Sequence, residues 1–197
     1  MQGIYPISPS ITLFDPLAEL LGAGDGRFHY TFDDVVKLSG HACPTVAGAF
    51  LIARHAVRHL YADEVPERGA ISVTLPGAQQ QGVNGPISQV FTLITGAAAG
   101  NGFHGLGGQF SRSGLMQFGN RTDNAFHFDR TDRRGGVLLS YDPSPIPADP
   151  AMGALLQRIL QGDRDSQTRQ RFSEMWRSRV IAILEDGGER TITRISE

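Results

Sequence analysis

The chain predicts an α+β fold, an antiparallel sheet flanked by helices with a helical arm at its C-terminal end. Three observations carry that expectation. Apolar residues recur at helical spacing over 44–61, 86–95 and two further stretches beyond 149. Short runs with strand character stand between them, at 70–75, 115–118, 125–128 and 137–141. The 197 residues are 40% hydrophobic and 19% charged, enough apolar side chain for one well-filled core.

The elements follow in order. Residues 1–29 read as an irregular N-terminal arm with one short apolar turn at 17–21. Pro44 opens a helix over 44–61, with Val46, Ala49, Phe50, Ala53, Val57 and Leu60 on its buried side. Ile71, Val73 and Leu75 alternate, the period of a strand. Ile87, Val90, Phe91 and Ile94 return to helical spacing, with Asn84 as the N-cap. Three strands follow at 115–118, 125–128 and 137–141. The run Asp142-Pro143-Ser144-Pro145-Ile146-Pro147 is an extended connector. Asp149-Pro150 then opens a helix carrying Met152, Leu155, Leu156, Ile159 and Leu160, which Gly162 closes. A longer helix over 165–185 carries Phe172, Met175, Trp176, Val180, Ile183 and Leu184. The organisation expected is an arm at 1–29, a core at 30–142 and a helical region at 143–197 that packs on the core or on a partner subunit. A homodimer anchored by Trp176 is the expected use of that last apolar stripe.

Composition narrows the function classes. A formal net charge of −2 leaves no electrostatic footprint for nucleic acid or an anionic membrane. Arg130, Arg133 and Arg134 are interleaved with Asp129 and Asp132. A single cysteine excludes an internal disulfide framework. Residues 1–15 hold no basic residue and no long apolar run, unlike a secretory signal, and no apolar run is long enough to span a bilayer. A soluble cytoplasmic protein is the default expectation.

That single cysteine stands in the most informative stretch, Ser39-Gly40-His41-Ala42-Cys43-Pro44. Proline at the first helical position puts Cys43 at the helix N-terminus, where unpaired N–H groups and the helix dipole favour a thiolate. His41 offers an imidazole nitrogen to the same small volume. A buried structural cysteine beside a satisfied histidine explains the same residues. The segment from Gly96 to Gly119 is rich in glycine and alanine, which permits close approach of backbone to backbone or to a ligand. It lacks the spacing of a P-loop or a dinucleotide fingerprint. His104 within it is a candidate third ligand. His55 and His59 stand four apart on the long helix, without the glutamate of a metalloprotease motif, and read as structural. His127 reads as a surface or interface residue, and His29 carries no signal.

The pattern resembles the FmdE family, named for a component of formylmethanofuran dehydrogenase. Gly40-His41-x-Cys43-Pro44 is similar to that family's HGHxCPG signature, and Phe32 to Lys37 resembles its lead-in. Gly82-Val83-Asn84, Gln89-Val90 and Thr95-Gly96 resemble its central stretch. Gly100-Asn101, Ala125-Phe126 and the segment from Glu174 to Glu185 resemble its later landmarks, so the likeness runs over about residues 30–190 in one order. It implies an α+β domain, often dimeric, with a metal centre near Cys43. Some members carry a C-terminal zinc ribbon, which is not expected here. The family name does not carry an activity, and whether this chain is an enzyme is left open.

The departures matter as much. Ser39 stands for the signature's first histidine and Thr45 for its final glycine. The family's other two cysteines fall on Gln81 and Ala97. A structural zinc site wants four nitrogen or sulfur ligands and a catalytic one about three. His41 and Cys43 carry over directly, with His104 as a third ligand and Gln81 as a weak oxygen donor. The cofactor expected is a transition-metal ion, zinc first, or a haem with Cys43 or His41 as axial ligand. Ala97, Gly100 and Asn101 would then wall the cofactor, with small residues leaving room for a flat macrocycle. A redox or sensor role fits such a centre. The remaining readings are a metal-free interaction or assembly module and a cysteine-nucleophile enzyme with His41 as base.

Overall fold

The computed structural model describes residues 5–6, 9–119 and 124–195. The elements run β1 (Ser10–Phe14), α1 (Pro16–Leu20), β2 (Arg27–Thr31), α2 (Phe32–Ser39), α3 (Pro44–Tyr61), β3 (Ile71–Leu75), α4 (Asn84–Thr95), β4 (Met116–Phe118), β5 (Phe126–Arg130), β6 (Gly136–Tyr141), α5 (Pro150–Leu160), α6 (Ser166–Asp186) and β7 (Ile192–Ile195). The expected α+β class with flanking and C-terminal helices is what the chain adopts.

One mixed sheet of five strands has the order β4-β3-β5-β6-β7. Its pairs are antiparallel except β3 and β4, which are parallel. Parallel neighbours need a long crossover, and α4 with its following loop supplies it. The expected antiparallel sheet thus carries one parallel pair, at that edge. β1 and β2 form a separate antiparallel pair.

α3 is the central element. Every residue from Val46 to Ala53 is buried, so this helix is apolar all round and has neighbours on all sides. The sheet, α2, α4 and α6 surround it. Phe91 of α4 meets Phe126 and Phe128 of β5 edge-to-face, at centroid distances of 5.5 and 5.0 Å. That pattern of aromatic contacts fixes α4 against the same sheet face.

Three expectations are corrected. Residues 10–31, which take in most of the expected irregular arm at 1–29, hold β1, α1 and β2. Asp15 caps α1 through Leu17 N and Ala18 N with Pro16 in the first turn, the same signature that Asp149-Pro150 gives α5. Residues 1–4, 7 and 8 of the arm, and 196–197 of the expected helical region, lie outside the described residues. Asn84 is not a cap. Val83 takes that position, and the Asn84 side chain donates back to the Pro76 and Ala78 carbonyls. α6 packs on the core of its own chain. Val180, Ile183 and Leu184 are buried against it, and Trp176 Nε1 donates to the Ala42 carbonyl at 2.7 Å. Finally, β7 returns the chain to the sheet as a fifth strand beside β6. Among the described residues no helix is long and apolar enough to cross a membrane.

Candidate functional site

The loop from Ser39 to Cys43 is built by the ends of two helices. α2 stops at Gly40, whose φ of 72° is the left-handed conformation that glycine adopts without strain. Cys43 is extended and caps α3, with Pro44 in the first turn as the sequence predicts. Its half-buried sulfur accepts from Val46 N at 3.4 Å. Two distant residues clamp the backbone on either side of the sulfur. Trp176 donates to Ala42, and Tyr141 Oη donates to the Pro44 carbonyl at 2.8 Å. Burial pushes the Tyr141 phenol far above its ordinary range, so it keeps that proton at neutral pH.

His41 is exposed, and its Nδ1 lies 2.9 Å from the Ser39 carbonyl. A carbonyl only accepts, so Nδ1 carries the hydrogen in that contact. The neutral ring therefore keeps its lone pair on Nε2. A backbone carbonyl on the other ring nitrogen is the usual support of a histidine that binds metal. The two groups stand two residues apart on the same short loop.

A protein-closed site does not fit. Among the described residues no three His, Cys, Asp or Glu side chains gather to hold a metal ion, so His104 does not complete His41 and Cys43. His104 is exposed on the glycine-rich loop. Gln81 is also exposed, and its Oε1 accepts from Ala78 N at 3.2 Å within its own turn. Ala97 is fully buried in the core cluster. His55 serves structure, with Nε2 2.6 Å from the Gly187 carbonyl.

Some glycines of the Gly96–Gly119 segment serve the segment's own packing. A Cβ on Gly102 would stand 2.7 Å from Ser113 N, and one on Gly105 would strike the Gln109 carbonyl. The loop closes round Arg112, which donates to the Arg68 carbonyl and, at 2.7 Å, to Asp15 Oδ1. Arg68 Nη1 holds the other carboxylate oxygen at 2.9 Å. No sequence signal singles out either arginine, and Asp15-Pro16 marks only a helix start. The partners are 53 and 97 residues from Asp15, so no local spacing marks them.

Two clefts adjoin these elements. Ala98, Ala99 and Asn101 line one of about 340 Å³ with Leu38, Gln89 and Thr92; neither His41 nor Cys43 lines it. Gly100 has open space where a Cβ would point and is exposed. Thr45 and Gln81 meet in the other, of about 380 Å³, together with Asn84, Phe126, Ser140 and Tyr141. The structure thus brings Gln81 towards the start of α3 and leaves Ala97, Gly100 and Asn101 on a different part of the molecule's surface and core.

Compared with known proteins, the chain matches no family model and no curated protein.

Proposed function

We propose that this protein binds a transition-metal ion through His41 Nε2 and Cys43 Sγ, as an open site on the loop that enters α3. The observation that carries the reading is the Ser39 carbonyl on His41 Nδ1, which leaves Nε2 as a lone-pair donor two residues from a thiol at a helix N-terminus. The likeness to the FmdE signature supports the same pair. A bound ion there would supply Lewis-acid or redox chemistry at the coordination positions the protein leaves open. The chain's own part is to hold the two donors, with Trp176 and Tyr141 clamping the backbone at Ala42 and Pro44. A cytoplasmic setting, where a lone thiol stays reduced, suits such a site.

Titration of metal-free protein with Co²⁺ tests this. One equivalent should bind with a thiolate-to-cobalt band in the near ultraviolet. Cys43→Ser should lose the band, and His41→Ala should weaken binding by about tenfold or more. No stoichiometric uptake, or full uptake by Cys43→Ser, overturns the proposal. A Soret band in freshly purified protein would instead assign haem, with Cys43 or His41 as axial ligand.

A metal-free assembly role is the second reading. Leu160 at the end of α5 is 77% exposed, and Phe172 on α6 is half-buried. A homodimer across that outer face would cover both. Trp176, half-buried beside Phe172, would anchor it with the ring surface that its bond to Ala42 leaves free. Light scattering should show a dimer that Leu160→Asp weakens; a monomer at high micromolar concentration excludes the reading.

A further inference from the structure

The C-terminal half of α3 meets the turn that follows α6. Gly187 and Gly188 make that turn at φ of 62° and 98°, and a Cβ on Gly188 would stand 2.5 Å from His55 Nε2. The two glycines therefore let the turn lie directly on His55, whose Nε2 meets the Gly187 carbonyl. Beside this contact is an open cleft of about 570 Å³. Arg54 and Arg58 come to it from α3, and Glu185 and Glu189 from the end of α6 and its turn.

Arg54 is half-buried, and its Nε is closed off from solvent without an acceptor, where a buried N–H normally has one. Its Nη1 and Nη2 make no hydrogen bond or ion pair with a described residue, and they are not closed off. Burial disfavours the charge, and among the described residues the charge that acts on it is that of Arg58, also positive. The two arginines are four residues apart, on one face of α3. Arg58 is exposed and pairs with no described carboxylate. Asp186 lines the cleft, but Arg190 and Thr191 hold its carboxylate. Pro9 brings the N-terminal segment to the cleft, and residues 1–14 contain no Asp or Glu. A half-buried cation without a counter-charge is costly, and an anion taken from solvent would offset that cost.

Two neighbouring guanidinium groups match a phosphate group, which carries close to two negative charges at neutral pH and accepts bidentate bonds. Glu185 and Glu189 are exposed and form no ion pair with a described residue. Ionised carboxylates only accept, so they repel a second anionic group and receive hydroxyl donors. We infer that this cleft binds a small sugar phosphate, its phosphate on Arg54 and Arg58 and its hydroxyls on Glu185 and Glu189. Cys43 caps the far end of α3, and Arg54 stands about 16 Å along the helix from it. The site is separate from the proposed metal site, and metal-free protein tests it alone.

The probes are ribose 5-phosphate and inorganic phosphate, each titrated into metal-free protein at constant ionic strength and followed in ¹H–¹⁵N spectra. Ribose 5-phosphate should give saturable shifts at the Arg54 Nε–H signal and at the amides of residues 54, 58 and 187. Inorganic phosphate should move the same signals but bind more weakly, because it lacks the hydroxyls. Arg54→Gln and Arg58→Gln should each weaken ribose 5-phosphate binding at least about tenfold, the loss of a charge-assisted hydrogen bond. Arg58 is exposed, so its replacement leaves the core intact. The inference is overturned by any of three results: no saturable shift with ribose 5-phosphate into the millimolar range, inorganic phosphate binding as tightly as ribose 5-phosphate, or unchanged binding in Arg58→Gln.

Discussion

Asp186, the last residue of α6, has a side chain that is 1% exposed. Burial alone would raise its carboxyl pKa, but hydrogen bonds from Arg190 Nε at 2.8 Å, Thr191 Oγ1 at 2.9 Å and Arg190 N at 3.2 Å outweigh it and hold the group below the usual carboxylate range. A folded pKa below the unfolded one means that the ionised form favours folding. The contribution is complete above the unfolded value of about 3.9 and is lost as pH falls through the lower folded value. Asp186→Asn should therefore cost about 1–3 kcal/mol at neutral pH, with the gap to wild type shrinking below about pH 4. Urea melts at pH 7 and pH 3 measure this; a gap that does not change with pH would assign the effect to shape and not to charge. At the same scale the sequence showed Cys43 at a helix start, because Pro44 next to an apolar run is a local signal. It could not show Asn84 in its observed role, since the side chain's partners are set by a turn whose path the spacing does not reveal.

α3 shows the same contrast at the scale of an element. Its limits were legible in full: proline at the first turn and an unbroken apolar run predict Pro44–Tyr61, and the helix has those bounds. What surrounds it was not. Gly48 in its middle looks like a helix defect, since alanine there would gain about 1 kcal/mol of intrinsic propensity. In the fold a Cβ at Gly48 would fall against the Tyr141 ring. That ring must stay in place for its hydroxyl to reach Pro44. Overpacking costs about 1–3 kcal/mol and so outweighs the propensity gain. Gly48→Ala should lower thermal stability and disturb the Cys43 cap, seen as a lower melting temperature and a shifted Val46 amide resonance. A more stable Gly48→Ala protein would show that Tyr141 yields freely. Short elements were the ones missed. β1, α2 and β7 have five, eight and four residues, and over so few positions a periodic pattern is hard to tell from chance.

For the whole molecule the tie between distant segments is Asp15. It caps α1, and it receives Arg68 from the approach to β3 and Arg112 from the glycine-rich loop. The Arg112 side chain is 8% exposed and that of Asp15 is 6%. Burial disfavours the Arg112 charge, and Asp15 opposes that effect. Removing the carboxylate would leave a buried cation unpaired. Asp15→Ala should cost about 3–5 kcal/mol, well above the loss of about 1 kcal/mol expected for a helix cap alone. Denaturant midpoints give the comparison, and a loss near 1 kcal/mol would mean that Arg112 finds water or another partner.

Local pattern determined the α+β class, the long helices, four of the strands and the placing of Cys43 before Pro44 at a helix start, because each depends on residues a few positions apart. Tertiary structure alone decided the rest. The parallel edge strand depends on where the α4 crossover returns. The apolar stripe of α6 could have faced a second subunit or its own core, and hydrophobic burial satisfies either; Val180, Ile183 and Leu184 lie in the core of their own chain. The glycine-rich segment could have walled a ligand or closed on itself, and Arg112 drew it inward to Asp15, a pairing across 97 residues that no window of sequence contains.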